Sequence, residues 1–228
     1  VDRTVSTLNA GKDDLVALAE KANPIVKFYD PIGLGDQEFY SWDNDRTIGF
    51  LRHAEIKHGR IAMFAFVGYC VQSNWHFPWA QSLAGDMFPS DELGPEAQWD
   101  AFPVDGKLQI FGVIAAMELW DECGGGGAFD HYTRGRQPGK YPPFEGFRKD
   151  VHFVFDLYDP FGLNKKMKDE VKERRLVAEI NNGRLAMLGI FSFLCADTIP
   201  GSVPALANIA IPYEGNVMVP FEGQFSFF

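Results

Sequence analysis

Cysteine, basic charge and long apolar runs are all scarce in this sequence. Three cysteines in 228 residues are an odd number and give no disulfide framework. Cys70 and Cys195 stand in apolar runs, where a buried thiol is expected. Lys and Arg number 21 against 31 Asp and Glu, a net charge of −10 with a pI near 4.9. That balance supplies no basic patch to neutralise phosphates and excludes nucleic acid as a partner. No uninterrupted apolar stretch reaches the ~18 residues of an ordinary membrane span. The opening Val1-Asp2-Arg3-Thr4 has no initiator Met and no apolar signal core, as expected of a mature chain after removal of a targeting segment.

What remains is ambiguous in bulk. Hydrophobic residues make up 46% and charged residues 23%, with a mean hydropathy of −0.14, figures that fit a soluble globular chain. The 21 Phe residues and 14% aromatic content suit a chain facing lipid or large flat ligands, and equally a dense core. The length suits a single domain over residues 1–228. Organisation therefore has to decide.

The sequence repeats itself. Phe28-Tyr29-Asp30-Pro31-Ile32-Gly33-Leu34 returns as Leu157-Tyr158-Asp159-Pro160-Phe161-Gly162-Leu163. Ala54-Glu55-Ile56-Lys57-His58-Gly59-Arg60-Ile61-Ala62-Met63 returns as Ala178-Glu179-Ile180-Asn181-Asn182-Gly183-Arg184-Leu185-Ala186-Met187. Two motifs in the same order at similar separation imply a duplicated unit, with two equivalent helices related by a pseudo-two-fold axis. The helices are expected over residues 45–74 and 168–197, both without Pro. At 1.5 Å per residue each is about 45 Å long, more than a bilayer core requires. A third helix is expected over residues 106–122, ended by the Gly124–Gly127 run. Residues 75–103 and 137–147 read as loops. The nearly uncharged, Pro-containing tail from Pro200 is expected to lie along a membrane surface or a partner.

Within one helix Glu55 and His58 share a face, being three apart. Arg60, five positions from Glu55, points about 140° away. Duplication offers a better pairing, in which each Arg crosses to the other helix as Glu55–Arg184 and Glu179–Arg60. An intramembrane charge costs about 2.5–3.5 kcal/mol at the bilayer centre, so such residues need partners. A simple helix-locking role accounts for the ion pairs alone. Glu, His and Asn at matched positions share one further property, a lone pair for a metal. A magnesium already neutralised by a macrocycle needs one neutral or charge-compensated donor, which Glu55, His58, Glu179 and Asn182 all offer. Small residues at every third position (Gly59, Ala62, Ala65 and Gly68; Gly183, Ala186, Gly189 and Ser192) allow close helix crossing and room for flat ligands. A di-iron carboxylate bundle would require a second Glu-x-x-His, but the second copy reads Glu179-x-x-Asn182. A transporter would use helices broken by Pro and more than three spans.

From about Phe28 to the tail, these motifs resemble the light-harvesting chlorophyll-binding proteins of thylakoid membranes. The form Glu-Ile-Lys-His-Gly-Arg is similar to the chlorophyll a/c antennae, the fucoxanthin– and peridinin–chlorophyll proteins of algae with red-derived plastids. The resemblance implies an all-α membrane protein with three transmembrane helices, the first and third crossing as an X. It implies a multi-pass antenna of the plastid thylakoid membrane with no enzymatic activity, or a photoprotective quencher of the same family. Its partners would be photosystem core subunits (with a lean to photosystem I), neighbouring antennae and thylakoid lipids. Its cofactors would be chlorophyll a, chlorophyll c and carotenoids of the fucoxanthin, peridinin or diadinoxanthin type, with magnesium present only through chlorophyll.

By position, the resemblance makes Glu55, His58, Glu179 and Asn182 chlorophyll ligands, adds Glu118, and adds Gln109 as a weaker candidate. Arg60 and Arg184 would form the ion pairs. Asp30, Pro31, Asp159 and Pro160, with Gly59, Ala62, Gly183 and Ala186, would flank carotenoids. One departure stands out: where the family often places a late Gln or His in the third helix, this chain has Ala196 beside Asp197. Water or a lipid would supply that axial bond, or the pigment would be missing. Of the other histidines, His53, His131 and His152 suit surface or hydrogen-bonding roles. His76, between Trp75 and Phe77, is the best further ligand candidate.

Overall fold

The computed structural model describes residues 11–90, 92–144 and 166–224. Among them every regular element is helical and no strand occurs. The helices are α1 (Lys12–Ala22), α2 (Asn44–Gln72), α3 (Pro95–Ala101), α4 (Val104–Glu122) and α5 (Asp169–Thr198). The repeated motif occupies the middle of α2 and of α5, and the glycines after α4 hold left-handed φ angles of 57–85° that end it. Two helices depart from the sequence expectation. α1 has Asp13 and Asp14 in its first turn and Lys21 in its last, charges that complement the helix dipole. α3, inside a segment read as loop, opens on Pro95, where the missing N–H is no loss.

No helix among the described residues is long and apolar enough to cross a membrane. The repeat is the physical reason for α2 and α5, since each copy sets Glu, Arg and His or Asn at mid-helix. Burial gives a different picture. Among the described residues the buried apolar side chains are few: Leu18, Ile48, Ala62, Tyr132, Ile180 and Ala196. By contrast, Ile61, Phe64 and Val67 on α2 and their counterparts Leu185, Leu188 and Phe191 on α5 are 61–81% exposed. Val113 and Leu119 on α4 are as open as these, at 65% and 64%. Such duplicated apolar stripes mark surfaces that something other than water covers. Cys70 continues the α2 stripe by three residues, which corrects the expectation of a buried thiol: it is exposed, and Cys195 is only half-buried.

The chain forms two compact units. The first is drawn from Val1–Arg60 and Ala116–Gly183. In it Leu18 of α1 is 2% exposed, Lys21 pairs with Glu173 of α5, and the Asn181 side chain donates to the Ala22 carbonyl at 3.0 Å. The Asp-Pro-x-Gly-Leu turn before α2 is built on its Asp. Asp30 Oδ2 accepts from the Gly35 N–H at 2.7 Å and Oδ1 from Leu34 at 2.9 Å, while Gly33 takes φ 69°. The Gly35 N–H, with its neighbours, holds the Asp30 carboxyl below the usual range. The second copy of this turn, with Asp159 and Pro160, lies outside the described residues, as does His152.

The second unit is drawn from Ile61–Ala115 and Arg184–Phe228. Phe193 of α5 stacks against Phe66 and Tyr69 of α2 at 5.0 and 4.8 Å. The described part of the tail is mostly exposed and is tied to α3 and α4 at a few points. Trp99 Nε1 donates to the Pro220 carbonyl at 2.9 Å, Tyr213 Oη to Asp100 Oδ2 at 2.6 Å, and Lys107 Nζ to Gln224 Oε1 at 3.0 Å. Trp99 and Lys107 thus donate to the tail, to a backbone carbonyl and a side-chain amide oxygen, while Tyr213 donates in the other direction.

Candidate functional site

The two copies of the motif meet in the first unit through their glycines. A Cβ on Gly59 would stand 3.0 Å from Gly183 Cα, and one on Gly183 would stand 2.9 Å from Gly59 Cα. Backbone therefore touches backbone, a closeness that only paired glycines permit. His58 and Asn182 each precede the contact by one residue, and both are exposed. Ala62, one turn on, is 6% exposed.

Beside this contact Arg60 Nε donates to Glu179 Oε1 at 2.5 Å, and Arg60 Nη1 donates to the Gly139 carbonyl at 2.6 Å. The guanidinium compensates the carboxylate while engaging one oxygen, so Oε2 retains donor capacity. His58 is prepared in another way. Its Nδ1 lies 2.8 Å from the Ala54 carbonyl, and a carbonyl only accepts, so Nδ1 carries the proton and Nε2 the lone pair. Glu118 on α4 is compensated by a partner that the sequence reading missed: Lys57 Nζ sits 2.6 Å from its Oε2.

Lys57 also reaches Asp121 Oδ2 at 2.7 Å, opening a buried polar cluster equally unforeseen. Asp121, fully buried, accepts from Arg136 Nη2 at 2.6 Å and from His53 Nε2 at 3.0 Å. His53 Nδ1 in turn accepts from the Gly139 N–H at 3.1 Å, and its ring stacks on Tyr132 at 3.8 Å. Both His53 nitrogens are thus engaged, as are those of His131, by Glu122 and Thr133. The signal was present in the spacings His53–Lys57 and Glu118–Asp121, each one helical turn, but it needs two helices read together.

Of the remaining candidates, Gln109 is exposed on α4, and His76 lies in the second unit, in the stretch between α2 and α3. Ala196 is 4% exposed and offers no donor, and its neighbour Asp197 is buried. Among the described residues no group of three or more His, Cys, Asp or Glu could hold a metal ion. The donors stand singly, which suits a metal whose other positions are already filled.

The second unit contains a carboxyl pair around one phenol. The Tyr69 hydroxyl donates to Asp197 and lies 3.4 Å from Glu96 Oε2, and a phenol has only one proton to give. Burial, reinforced by the Asp197 carboxylate, pushes Glu96 up to about 7 from an ordinary 4.5. A carboxyl raised on folding holds its proton more firmly folded than unfolded, so stability falls as pH rises through 4.5 to 7. We expect Glu96→Gln to flatten that part of the stability profile and to raise the melting temperature at pH 8 relative to wild type. Melting curves at pH 5 and pH 8 check it, and an unchanged pH dependence would refute it.

Comparison with known proteins identifies the family. The family described as "Chlorophyll A-B binding protein" matches residues 16–198. The fucoxanthin-chlorophyll a-c binding protein of Trieres chinensis is 33% identical over 197 residues, covering 82% of each chain. Fucoxanthin-chlorophyll a-c binding protein E of Macrocystis pyrifera is 32% identical, covering 83% of this chain and 77% of its own. Protein F of Phaeodactylum tricornutum is 33% identical, covering 76% and 75%. All three are chloroplastic proteins. The chain belongs to the chlorophyll a/b-binding family of light-harvesting antenna proteins, which are pigment carriers and not enzymes.

Proposed function

We propose that this chain is a thylakoid antenna that captures light and passes the excitation to a photosystem, with photosystem I the favoured acceptor. α2, α4 and α5 are its three membrane spans, with α2 and α5 the crossing pair. Glu55, His58, Glu118, Glu179 and Asn182 serve as axial donors, and Gln109 as a weaker one. Chlorophyll, when bound, supplies the light-absorbing macrocycle and a magnesium with an open axial position. The protein's part is positional. Arg60 and Lys57 neutralise the carboxylates of Glu179 and Glu118, and the Ala54 carbonyl fixes the tautomer of His58. Glu55 and Arg184 carry the same chemistry in the repeat. The observation that carries this reading is the Arg60–Glu179 pair beside the Gly59–Gly183 contact, a charge-compensated donor where two helices touch.

The names of the relatives point to chlorophyll a, chlorophyll c and fucoxanthin as pigments, with peridinin or diadinoxanthin as the other carotenoid types the motif suggests. Asp30 and Pro31, with Gly59, Ala62, Gly183 and Ala186, would flank the carotenoids. Neighbouring antennae, photosystem core subunits and thylakoid lipids are the partners. An absorption spectrum of the purified chain with a red chlorophyll band and a carotenoid shoulder is the expected result, and a colourless protein ends the reading. One feature favours a quencher instead: burial beside the Asp197 carboxylate pushes Glu96 up to about 7, which gives the fold a response to acidification. A fluorescence lifetime that shortens as the pH falls through about 7 would decide for the quencher.

A further inference from the structure

His76 stands in the connection that follows α2, well away in sequence from the repeated motif. Its Nε2 lies 3.0 Å from Gln98 Oε1. Gln98 is 5% exposed, and its amide nitrogen donates to two carbonyls, Leu93 at 2.8 Å and Gln72 at 3.1 Å. Carbonyls only accept, so the amide cannot be turned round: its nitrogen faces the backbone and its oxygen faces His76. An amide oxygen in turn needs a donor. His76 Nε2 therefore carries the proton, and Nδ1 is left with the lone pair.

This is the same device that prepares His58, with the ring nitrogens exchanged. In His58 the backbone holds Nδ1 and presents Nε2; in His76 a buried glutamine holds Nε2 and presents Nδ1. An outer partner that fixes the tautomer and raises basicity is the usual companion of a ligating histidine.

The surroundings are suited to a flat, largely apolar ligand. His76 lines a cavity of about 290 Å³ with Trp75, Phe77, Met87 and Phe88 among the walls. Phe88 lies parallel to the imidazole within 20°, at 5.9 Å. Trp75 is 50% exposed and meets Phe77 edge-on at 4.5 Å, which leaves ring surface open to stacking, whereas Trp79 is already stacked on Phe77 at 4.3 Å. Among the described residues, none that lines this cavity carries a carboxylate. A second cavity of about 430 Å³ shares Asn74 and Trp75 with the first and continues along α2 past Phe66, Val67, Cys70 and Val71. It is an apolar groove leading away from the histidine.

We propose that His76 Nδ1 is the axial donor to one further chlorophyll, with the ring against the Trp75–Phe88 walls and a long hydrocarbon tail along the α2 groove. The groove selects for an esterified chlorophyll of the a type, because chlorophyll c has no such tail to bury. Filling the groove would remove apolar tail surface from water. The proposal rests on the antenna reading and adds a site outside its duplicated set.

The test uses the full chain assembled with a pigment extract containing chlorophylls a and c, with pigments counted per chain. His76→Phe keeps an aromatic ring beside Phe88 but removes the donor. It is expected to lose one chlorophyll a per chain, with chlorophyll c unchanged and helical circular dichroism retained. Cys70→Trp leaves His76 intact and fills the groove, and it is expected to lose the same chlorophyll a, seen as the same band in the difference spectrum. A wild-type chlorophyll a count in both variants overturns the proposal, as does loss of chlorophyll c from His76→Phe. If the wild-type chain binds no chlorophyll, the antenna reading falls and takes this site with it. If only the variants behave as wild type, the antenna reading stands and this site alone is wrong.

Discussion

Gly183→Leu leaves no room for the contact on which the first unit is built, and the expected result is a chain that fails to assemble with pigment. Even Gly183→Ala would place a Cβ 2.9 Å from Gly59 Cα, a separation that backbone on both sides cannot relieve by turning a side chain. Replacing a mid-helix Gly by Ala ordinarily gains about 0.5–1 kcal/mol through reduced chain entropy. Overpacking costs about 1–3 kcal/mol and sometimes more, so the clash outweighs the gain for Ala and overwhelms it for Leu. Gly68 supplies the control: it lies on the same small-residue stripe, yet nothing stands within 4 Å of its added Cβ. Gly68→Ala is expected to be neutral or slightly stabilising. The measurement is the yield and melting temperature of the pigmented complex after refolding in detergent. Equal yields for Gly183→Leu and Gly68→Ala would show that the glycine contact does not hold the helices.

Arg60→Leu has the second-largest expected effect, because it strands the Glu179 carboxylate and leaves the Gly139 carbonyl without its donor. In a membrane setting an unpaired charge costs about 2.5–3.5 kcal/mol. In water a pair as open as this one, with side chains 34% and 27% exposed, would be worth about 0–1 kcal/mol. The two figures differ enough to identify the medium. We expect a loss of about 3 kcal/mol for Arg60→Leu, a smaller loss for Glu179→Gln, and partial recovery in the double variant, since the neutral pair strands no charge. Denaturation of the assembled complex in detergent micelles gives all three values. A loss below about 1 kcal/mol for Arg60→Leu would mean that the pair faces water, and α2 and α5 would then not be spans at this depth.

Both predictions involve residues whose importance was legible in the sequence, and the reason is duplication. The angle between Glu55 and Arg60 on one helix rules out a local pair, and the second copy supplies the alternative observed for Arg60 and Glu179. The helices α2 and α5 were readable to within one or two residues for the same reason. The Lys57–Glu118 pair was not readable, because the repeat does not contain it. The counterpart of Lys57 is Asn181, which bonds to the Ala22 carbonyl instead, so no second copy reveals the contact. The Asp121 cluster draws on α2, α4 and the loop at Arg136 and Gly139, positions far apart in sequence. α1 and α3 were missed because helices of 11 and 7 residues, about three and two turns, leave little periodicity to detect. The bonds that tie the tail down were not readable, because Trp99 and Lys107 lie about 120 residues before Pro220 and Gln224.

The shortage of buried apolar side chains among the described residues, set beside the exposed stripes on α2, α4 and α5, has a consequence for how the protein is made. A chain with so small a core of its own has little to hold it together until its ligands arrive, and its stability becomes a question of mass action. Each site contributes RT ln(1 + [L]/Kd), about 2.7 kcal/mol when free pigment exceeds the dissociation constant a hundredfold. Several such terms together match the whole stability of an ordinary domain, about 5–15 kcal/mol. Pigment supply would then regulate how much of this protein persists, with no dedicated sensor required: the unloaded chain would populate open states that proteases remove.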